Sequence, residues 1–351
     1  MQAPTHHSKL TGAVLRLALL IGVVIVLYYG KALLLPLFVA AMLAMLLSPI
    51  QDWLVGKGWN NGLAISAAMM VLLMFFGGVF AASGQQAVSF VDNWPETQKK
   101  LSIQLNSMRT HYGLESVVPV IPSGEKKSAG GDLMEKLPVS GEGIMSFLSG
   151  SFGVLGDFVL MLIYVILMLA QKERFREFVL RASPDEQRGV AHRTLNESQG
   201  VVQKYLRGYV ILIGILAALY SVGFLIVGMD YAILIALLVA VMAIIPYLGN
   251  IIGGLFAVAL AFSSGGGMTA VYGVLITMSI AQVLESYILT PMIVGDEVSI
   301  NPLTTIVCVM GMSLLWGPVG AIIAIPLFAI MRVVFSHIEG LRDYAYLIGQ
   351  E

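Results

Sequence analysis

Residues 282–302 read QVLESYILTPMIVGDEVSINP, and this stretch decides how the chain folds. It places an amide, a carboxylate and two prolines between apolar runs that are long enough to cross a bilayer. A carboxylate near the middle of a membrane span costs about 2.5–3.5 kcal/mol, so it is usually paired or faces a polar cavity. Interrupted backbone at membrane depth is tolerated only where protein or water satisfies its freed N–H and C=O groups. The stretch therefore points to a path through the membrane.

The composition is that of an integral membrane protein. The 351 residues are 58% hydrophobic and only 12% charged, whereas soluble domains carry about 25% charged residues. The formal net charge of −1 gives no reason to expect a nucleic acid partner. The single cysteine, Cys308, excludes both an intrachain disulfide and a thiolate metal cage.

Eight apolar segments are long enough to cross a bilayer, because a helix rises about 1.5 Å per residue through about 30 Å of hydrocarbon. They are residues 11–30, 32–50, 62–90, 150–170, 207–228, 231–262, 268–290 and 302–336. The sixth is interrupted by PYLGN at 246–250 and the eighth by Gly317-Pro318, which should kink or divide the helices. We predict an all-α, polytopic membrane protein with about eight transmembrane helices, some of them broken.

The polar segments between these spans set the domain organisation. In order, the domains are transmembrane helices 1–3 (1–92), a polar extracytoplasmic insertion (93–145), transmembrane helix 4 (146–171), a cytoplasmic amphipathic segment (172–206), transmembrane helices 5–8 with a transport cassette (207–336) and a cytoplasmic tail (337–351). In the insertion, Leu101, Leu105 and Met108 recur at helical spacing and predict a short amphipathic helix. We interpret 172–206 as an interfacial helix, with a regulatory partner site as the alternative.

Lysine and arginine orient the chain. With the N-terminus inside, the cytoplasmic segments hold most of the bases that count, including those between Lys172 and Arg207. Both termini are then cytoplasmic, and SSGGG at 263–267 is a tight cytoplasmic turn. This turn lacks the lysine of a phosphate-binding loop. The sequence also contains no nucleophile elbow and no histidine and glutamate set at metal-ligand spacing. We therefore expect no enzyme activity and no cofactor.

Gln282 and Glu285 are the strongest candidates for binding a translocated solute or ion. They are three residues apart, so they share one face of the seventh span. That face could present an amide and a carboxylate to a polar solute, a proton or a cation. The alternative is that Glu285 pairs with an arginine or a backbone group near the outer end of the span.

Pro291, Gly295, Asn301 and Pro302 should interrupt the helix that follows. Terminal carbonyls would be left free to coordinate a cation, and new N–H groups would favour anionic or carbonyl oxygens. Broken helices of this kind build sites at the membrane midplane in secondary transporters. A plain extracytoplasmic loop remains the alternative.

Three further positions complete the candidate translocation site. Pro246 and Gly249 form the second break, and Asn250 could donate a hydrogen bond into the same cavity. A packing kink explains that break equally well. Asp157, early in the fourth span, either faces the pore or lies at the membrane interface.

Several short motifs at and beyond these breaks resemble one family. They are Pro36, Leu47-Ser48-Pro49, Ile245-Pro246-Tyr247-Leu248-Gly249 with Gly253, Gln282-x-x-Glu285, Pro291-x-Ile293-x-Gly295, Asn301-Pro302-Leu303 and Trp316-Gly317-Pro318-x-Gly320-x-x-x-Ala324-Ile325-Pro326. In these residues the chain resembles the autoinducer-2 exporter family of bacterial membrane proteins. The family often has a histidine at the position of Asn301, so a titrating role is absent there.

The resemblance implies an eight-span transporter in the bacterial inner membrane that forms homo-oligomers, with pentamers the expected form. Our leading hypothesis is a secondary transporter that exports a small polar solute, by resemblance the signal autoinducer-2. The alternative is a proton antiporter for a monovalent cation, Na⁺ or Li⁺. A membrane scaffold or passive pore is a third hypothesis, and it predicts no saturable flux.

Overall fold

Several breaks between the long apolar helices fall at glycine or proline, whereas other prolines lie inside continuous helices. The computed structural model describes residues 6–112, 151–243, 245, 248–264, 267–294 and 300–350. Its helices are α1 (His6–Tyr29), α2 (Lys31–Gly56), α3 (Asn61–Asp92), α4 (Trp94–Tyr112), α5 (Ser151–Ala182), α6 (Arg188–Ile226), α7 (Ala232–Met242), α8 (Leu248–Ser263), α9 (Gly267–Leu284, continuing as a π-helix over Glu285–Val294), α10 (Pro302–His337) and α11 (Arg342–Ile348).

Over the described residues the fold is all-α, and these helices indicate a multi-pass membrane protein. Five segments of the described residues are long and apolar enough to cross a membrane: Lys31–Gly56, Asn61–Asp92, Asp185–Ile226, Gly267–Ile293 and Pro302–His337. The short helix predicted around Leu101 is present as α4. The interfacial helix predicted within 172–206 is not separate. No proline occurs between Arg188 and Ile226, and α6 runs through this region without interruption.

The helices form two compact units. The first contains Met1–Ser48, Val159–Val202 and Val298–Glu351, and the second contains Pro49–Phe158 and Gln203–Glu297. In the second unit, α6 and α9 pack closely, because Gly223 lies against Thr277 and Gly273 against Val227. Small residues allow two helix backbones to approach in this way. The largest fully buried side chains there include Tyr220 and Phe224.

The predicted sixth span folds back on itself in the second unit. Gly253 of α8 lies against Val239 of α7, and a Cβ atom at Gly249 would collide with the carbonyl of Met242. Tyr231, just before α7, and Ser263, at the end of α8, line the same pocket. The two helices are therefore antiparallel, and we name this pair the α7–α8 hairpin.

The α7–α8 hairpin corrects two expectations. The segment is divided as predicted, but its halves run antiparallel and do not continue in one direction. With 11 and 16 residues, they rise about 16 and 24 Å, less than about 30 Å of hydrocarbon. Because Ser263 lines one pocket with Asp230 and Tyr231, the end of α8 lies beside the start of α7 and not at the far end of one continuous span.

The eighth apolar segment also doubles back, within the first unit. A straight helix of 36 residues would be about 54 Å long. Yet the backbone N–H of Asn301, which precedes α10, donates to the carbonyl of Ile348 across 3.0 Å. The chain between His337 and Ile348 reaches at most about 40 Å even when fully extended, so α10 must reverse.

The reversal in α10 lies at Trp316 and Gly317. Gly317 has φ 65° and ψ −153°, a backbone conformation that glycine adopts far more readily than other residues. After it, Gly320 packs directly against the carbonyl of Met312. We name this pair of half-helices the α10 hairpin. The predicted break at Gly317-Pro318 is thus present, as a reversal of direction.

Candidate functional site

The α7–α8 hairpin brings Asn250 against α9. Asn250 lies in the first turn of α8, after the break that ends α7. Its Nδ2 donates to Gln282 Oε1 across 2.7 Å and to Glu285 Oε2 across 3.3 Å. Gln282 Nε2 in turn donates to Ser286 Oγ across 3.0 Å. We name these four residues the amide–carboxylate cluster.

The cluster leaves one buried acceptor open. An asparagine amide nitrogen carries two hydrogens, and in Asn250 these serve Gln282 and Glu285. The Oδ1 atom of Asn250 is buried and accepts no hydrogen bond from the described residues. A buried, unsatisfied acceptor costs about 1–3 kcal/mol. A donor group or a cation arriving at this atom would recover that free energy.

The carboxylate of Glu285 is half-buried and has no basic partner in the described part of the chain. Its recorded polar contact is with the neutral Asn250 amide. The alternative in which an arginine neutralises Glu285 therefore has no support among these residues. Gln282 and Ser286 are exposed beside it, so the cluster has one open side.

A change in helix type starts at the carboxylate. At Glu285, α9 passes from α-helix to π-helix, and Pro291 lies inside the π-helical part. Proline has no N–H, and its ring clashes with the preceding turn of an α-helix. The wider π-helical turn accommodates it, and such turns often occur at functional sites. Pro291 therefore does not end the helix, which continues to Val294.

Asn301 and Pro302 begin α10, and they contact a different set of residues. Pro302 is the first helical residue, and Asn301 caps the helix by accepting from the N–H of Thr304 across 2.7 Å. Asn301 Nδ2 donates to the carbonyl of Leu347 across 2.6 Å. Both polar ends of this amide are thus engaged within the first unit.

The other predicted site residues divide between packing, exposure and the undescribed parts of the chain. Gly249 has a packing role, because Met242 leaves no room for a side chain there. Asp157 is exposed on α5 and forms no hydrogen bond or ion pair with a described residue. Pro246 and Gly295 lie outside the described residues. Sequence reasoning missed Ser286, although its spacing from Gln282 is that of one helical turn.

Comparison with known proteins identifies the family of the chain. The family model described as AI-2E family transporter matches residues 17–340. The chain belongs to this family. This AI-2E family member is 26% identical to YrrI of Bacillus subtilis over 325 residues, which cover 89% of this chain and 88% of that protein. It is 25% identical to PerM of Escherichia coli over 330 residues, which cover 92% of each chain.

A mycobacterial relative gives the same picture. MT0215 of Mycobacterium tuberculosis is 26% identical over 334 residues, which cover 94% of this chain and 89% of that protein. The names of these three relatives describe two as transport proteins and one as a permease, each as a provisional assignment, and state no substrate. The chain is therefore a membrane transporter or permease by family.

Proposed function

We propose that this AI-2E family protein is a secondary transporter that exports a small polar solute, by resemblance autoinducer-2, through the amide–carboxylate cluster. The observation that carries the proposal is the hydrogen-bonded contact between Asn250, Gln282 and Glu285. It gathers two amides, a carboxylate and the Ser286 hydroxyl between helices that are otherwise strongly apolar. A sugar-like solute needs several such partners at once, because each unpaired polar group is costly at membrane depth.

The open atoms of the cluster match the hydroxyl groups of such a solute. Asn250 Oδ1 and the carboxylate of Glu285 accept hydrogen bonds, and solute hydroxyls would donate them. Gln282 and Ser286 lie on the exposed side, where a solute would arrive. Glu285, with no basic partner among the described residues, is the group that we propose exchanges a proton during transport.

A second candidate function is antiport of Na⁺ or Li⁺ against protons. One observation favours it: the carboxylate of Glu285 is hydrogen-bonded to Asn250, and the amide oxygen of Asn250 is buried and unsatisfied. Carboxylate and amide oxygens are ligands that suit hard cations. In this function a cation binds when Glu285 is ionised and leaves when it is protonated.

We propose a topology that revises the sequence-based count. In place of eight full crossings, six helices cross the inner membrane: α1, α2, α3, α5, α6 and α9. Each of the two hairpins enters the membrane and returns to the side from which it entered. The α7–α8 hairpin then opens to the extracytoplasmic side, with α4, and the α10 hairpin opens to the cytoplasm. Both termini remain cytoplasmic, as the bases between Lys172 and Arg207 favour. We also propose a homo-oligomer, with pentamers as the expected form.

Flux in proteoliposomes tests the proposal. Purified protein should export autoinducer-2 saturably when a proton gradient is applied, and Glu285→Gln should abolish the gradient-driven component. The matched control is Glu177→Gln, which changes an exposed carboxylate paired with Arg181. Solute flux that is the same in Glu285→Gln and the wild type would remove Glu285 from the mechanism. Proton flux driven by Na⁺ or Li⁺ without solute flux would establish the antiporter instead.

The role of Asp157 is tested in the same assay. Asp157→Asn changes an exposed carboxylate outside the cluster. We expect it to retain gradient-driven flux. Loss of that flux in Asp157→Asn, with flux retained in Glu285→Gln, would transfer the proton-exchange role to Asp157.

A further inference from the structure

A polar cavity lies in the second unit, away from the amide–carboxylate cluster. It has a volume of about 170 Å³, many times what a single water molecule needs. We name it the α4 pocket. Its lining residues are Asn93, Glu96, Thr97, Lys100, Asp230, Tyr231, Leu260 and Ser263. They come from α4 and the residue just before it, from the residues just before α7 and from the end of α8.

The neutral groups of the α4 pocket are fixed by hydrogen bonds. Asn93 Nδ2 donates to the hydroxyl of Tyr231 across 3.1 Å and to the carbonyl of Ser89 across 2.8 Å. Thr97 Oγ1 donates to the carbonyl of Asn93, and Ser263 Oγ donates to that of Leu260. Their oxygen atoms keep lone pairs that a ligand can use. The wall of the pocket is therefore pre-organised.

The charged groups at its rim are free to bind a ligand. Glu96, Lys100 and Asp230 are exposed, and none of them forms an ion pair with another described residue. Two carboxylates accept hydrogen bonds, and the ammonium group donates them. That ammonium also disfavours a metal cation, and the described residues contain no group of three side chains suited to hold a metal.

The ligand that fits these groups is a small neutral molecule with several hydroxyls. Each hydroxyl both donates and accepts, so it can bridge a carboxylate and the Lys100 ammonium. The position of the pocket links it to transport, because α8 carries Asn250 of the cluster near its start and Ser263 of the pocket at its end. These residues are roughly 20 Å apart along the helix axis. The pocket and the cluster therefore lie at opposite ends of one helix.

We propose that the α4 pocket is a second binding site for a small polyhydroxylated solute, at the base of the α7–α8 hairpin. The identity of this solute with the transported one rests on the proposed function. A bound molecule that contacts Glu96 or Lys100 on α4 and Asp230 or Ser263 on the hairpin would join the two elements. Occupancy of the pocket would then hold the hairpin against α4.

Equilibrium binding by calorimetry on the purified full chain tests this site, with ribose and ribitol as probes and NaCl as the ionic control. We expect both polyols to bind and the double variant Glu96→Gln/Asp230→Asn to weaken binding about tenfold or more. Glu177→Gln, which changes an exposed carboxylate outside the pocket and the cluster, should bind the probes as the wild type does, and Glu285→Gln is measured beside it to separate binding at the cluster from binding at the pocket. Thermal unfolding of each variant shows that it is folded, which is expected because Glu96 and Asp230 are exposed.

Each result has one meaning for the pocket. The proposal would be overturned if neither polyol binds. It would also be overturned if Glu285→Gln loses polyol binding while the double variant retains it, because the polyol would then bind at the cluster and not at the pocket. Binding of Na⁺ that the double variant alone removes would overturn the choice of ligand. If the pocket binds polyols but Glu285→Gln transports normally, the pocket stands and the role of Glu285 in the proposed function fails.

Discussion

Trp316 donates its indole N–H to the backbone carbonyl of Leu27 across 2.8 Å. This bond joins the turn of the α10 hairpin to α1 within the first unit. The Trp316 ring also lies 5.4 Å from the ring of Phe38 on α2. The reversal at Gly317 is therefore stabilised by contacts of the adjacent Trp316 with α1 and α2, two helices that come much earlier in the chain.

Replacing Trp316 with phenylalanine should lower stability. The variant keeps an aromatic ring but leaves the Leu27 carbonyl without this donor, at a cost of about 1 kcal/mol. The midpoint of thermal unfolding in detergent should fall. Trp59→Phe, at an exposed loop position, is the matched control and should leave it unchanged. Equal midpoints for the two variants would show that the indole bond contributes nothing.

Gly249→Ala should disrupt the α7–α8 hairpin. The added Cβ atom would collide with the carbonyl of Met242, and backbone atoms cannot move aside as a flexible side chain can. We expect a loss of about 1–3 kcal/mol of unfolding free energy. Gly214→Ala in α6 has nothing within 4 Å of the added carbon, and should be neutral or stabilising. Thermal unfolding of both variants measures the difference.

Asn301 offers a graded test of the start of α10. Asn301→Ala removes both the cap on Thr304 and the bond to Leu347, and should cost about 1–2 kcal/mol. Asn301→Asp keeps an acceptor for the Thr304 N–H but loses the donor to Leu347. It should lie between the alanine variant and the wild type in thermal stability. If aspartate is as damaging as alanine, the bond to Leu347 is the important one.

The hairpin topology predicts which positions share one side of the membrane. Single cysteines replacing Asp230 and Met268, in a Cys308→Ala background, flank the α7–α8 hairpin. A membrane-impermeant thiol reagent should label both from the same side of intact cells or spheroplasts. Labelling from opposite sides would restore a single span over 231–262. The Cys308→Ala protein without added cysteines, treated with the same reagent, gives the background labelling.

The sequence predicts that Gln282 and Glu285 share one helical face. It also suggests that Asn250 could donate a hydrogen bond into the same cavity. A spacing of three fixes two side chains on one helical face, whatever surrounds the helix. The interruption at residues 246–250 was also visible, since proline and glycine act locally. In the structure, Asn250 Nδ2 lies 2.7 Å from Gln282 Oε1, so the start of α8 and α9 are in contact.

The direction of the chain after each break was not predictable in the same way. Hydropathy measures how apolar a segment is. It cannot distinguish a hairpin of α7 and α8 from one long span, because both contain the same apolar residues. What reverses the chain is the fit of Gly249 against Met242 and the left-handed backbone at Gly317. Both depend on contacts that the sequence pattern does not contain.

The α4 pocket was beyond sequence reasoning for a similar reason. Its lining brings Asn93 against Tyr231, which follows 138 positions later. Glu96 and Lys100 looked like ordinary charges of a polar insertion. Only the return of α8 to the start of α7 places Ser263 beside them.

The shortness of α7 has a consequence for biogenesis. Neither half of the α7–α8 hairpin is long enough to be released into lipid by the translocon as an independent span. The pair must enter together, after α6 has inserted and once α9 or α3 offers a protein surface against which it packs. Insertion of this region is therefore expected to be late and cooperative, and a ribosome-bound chain that ends before α9 should leave the hairpin exposed to proteases.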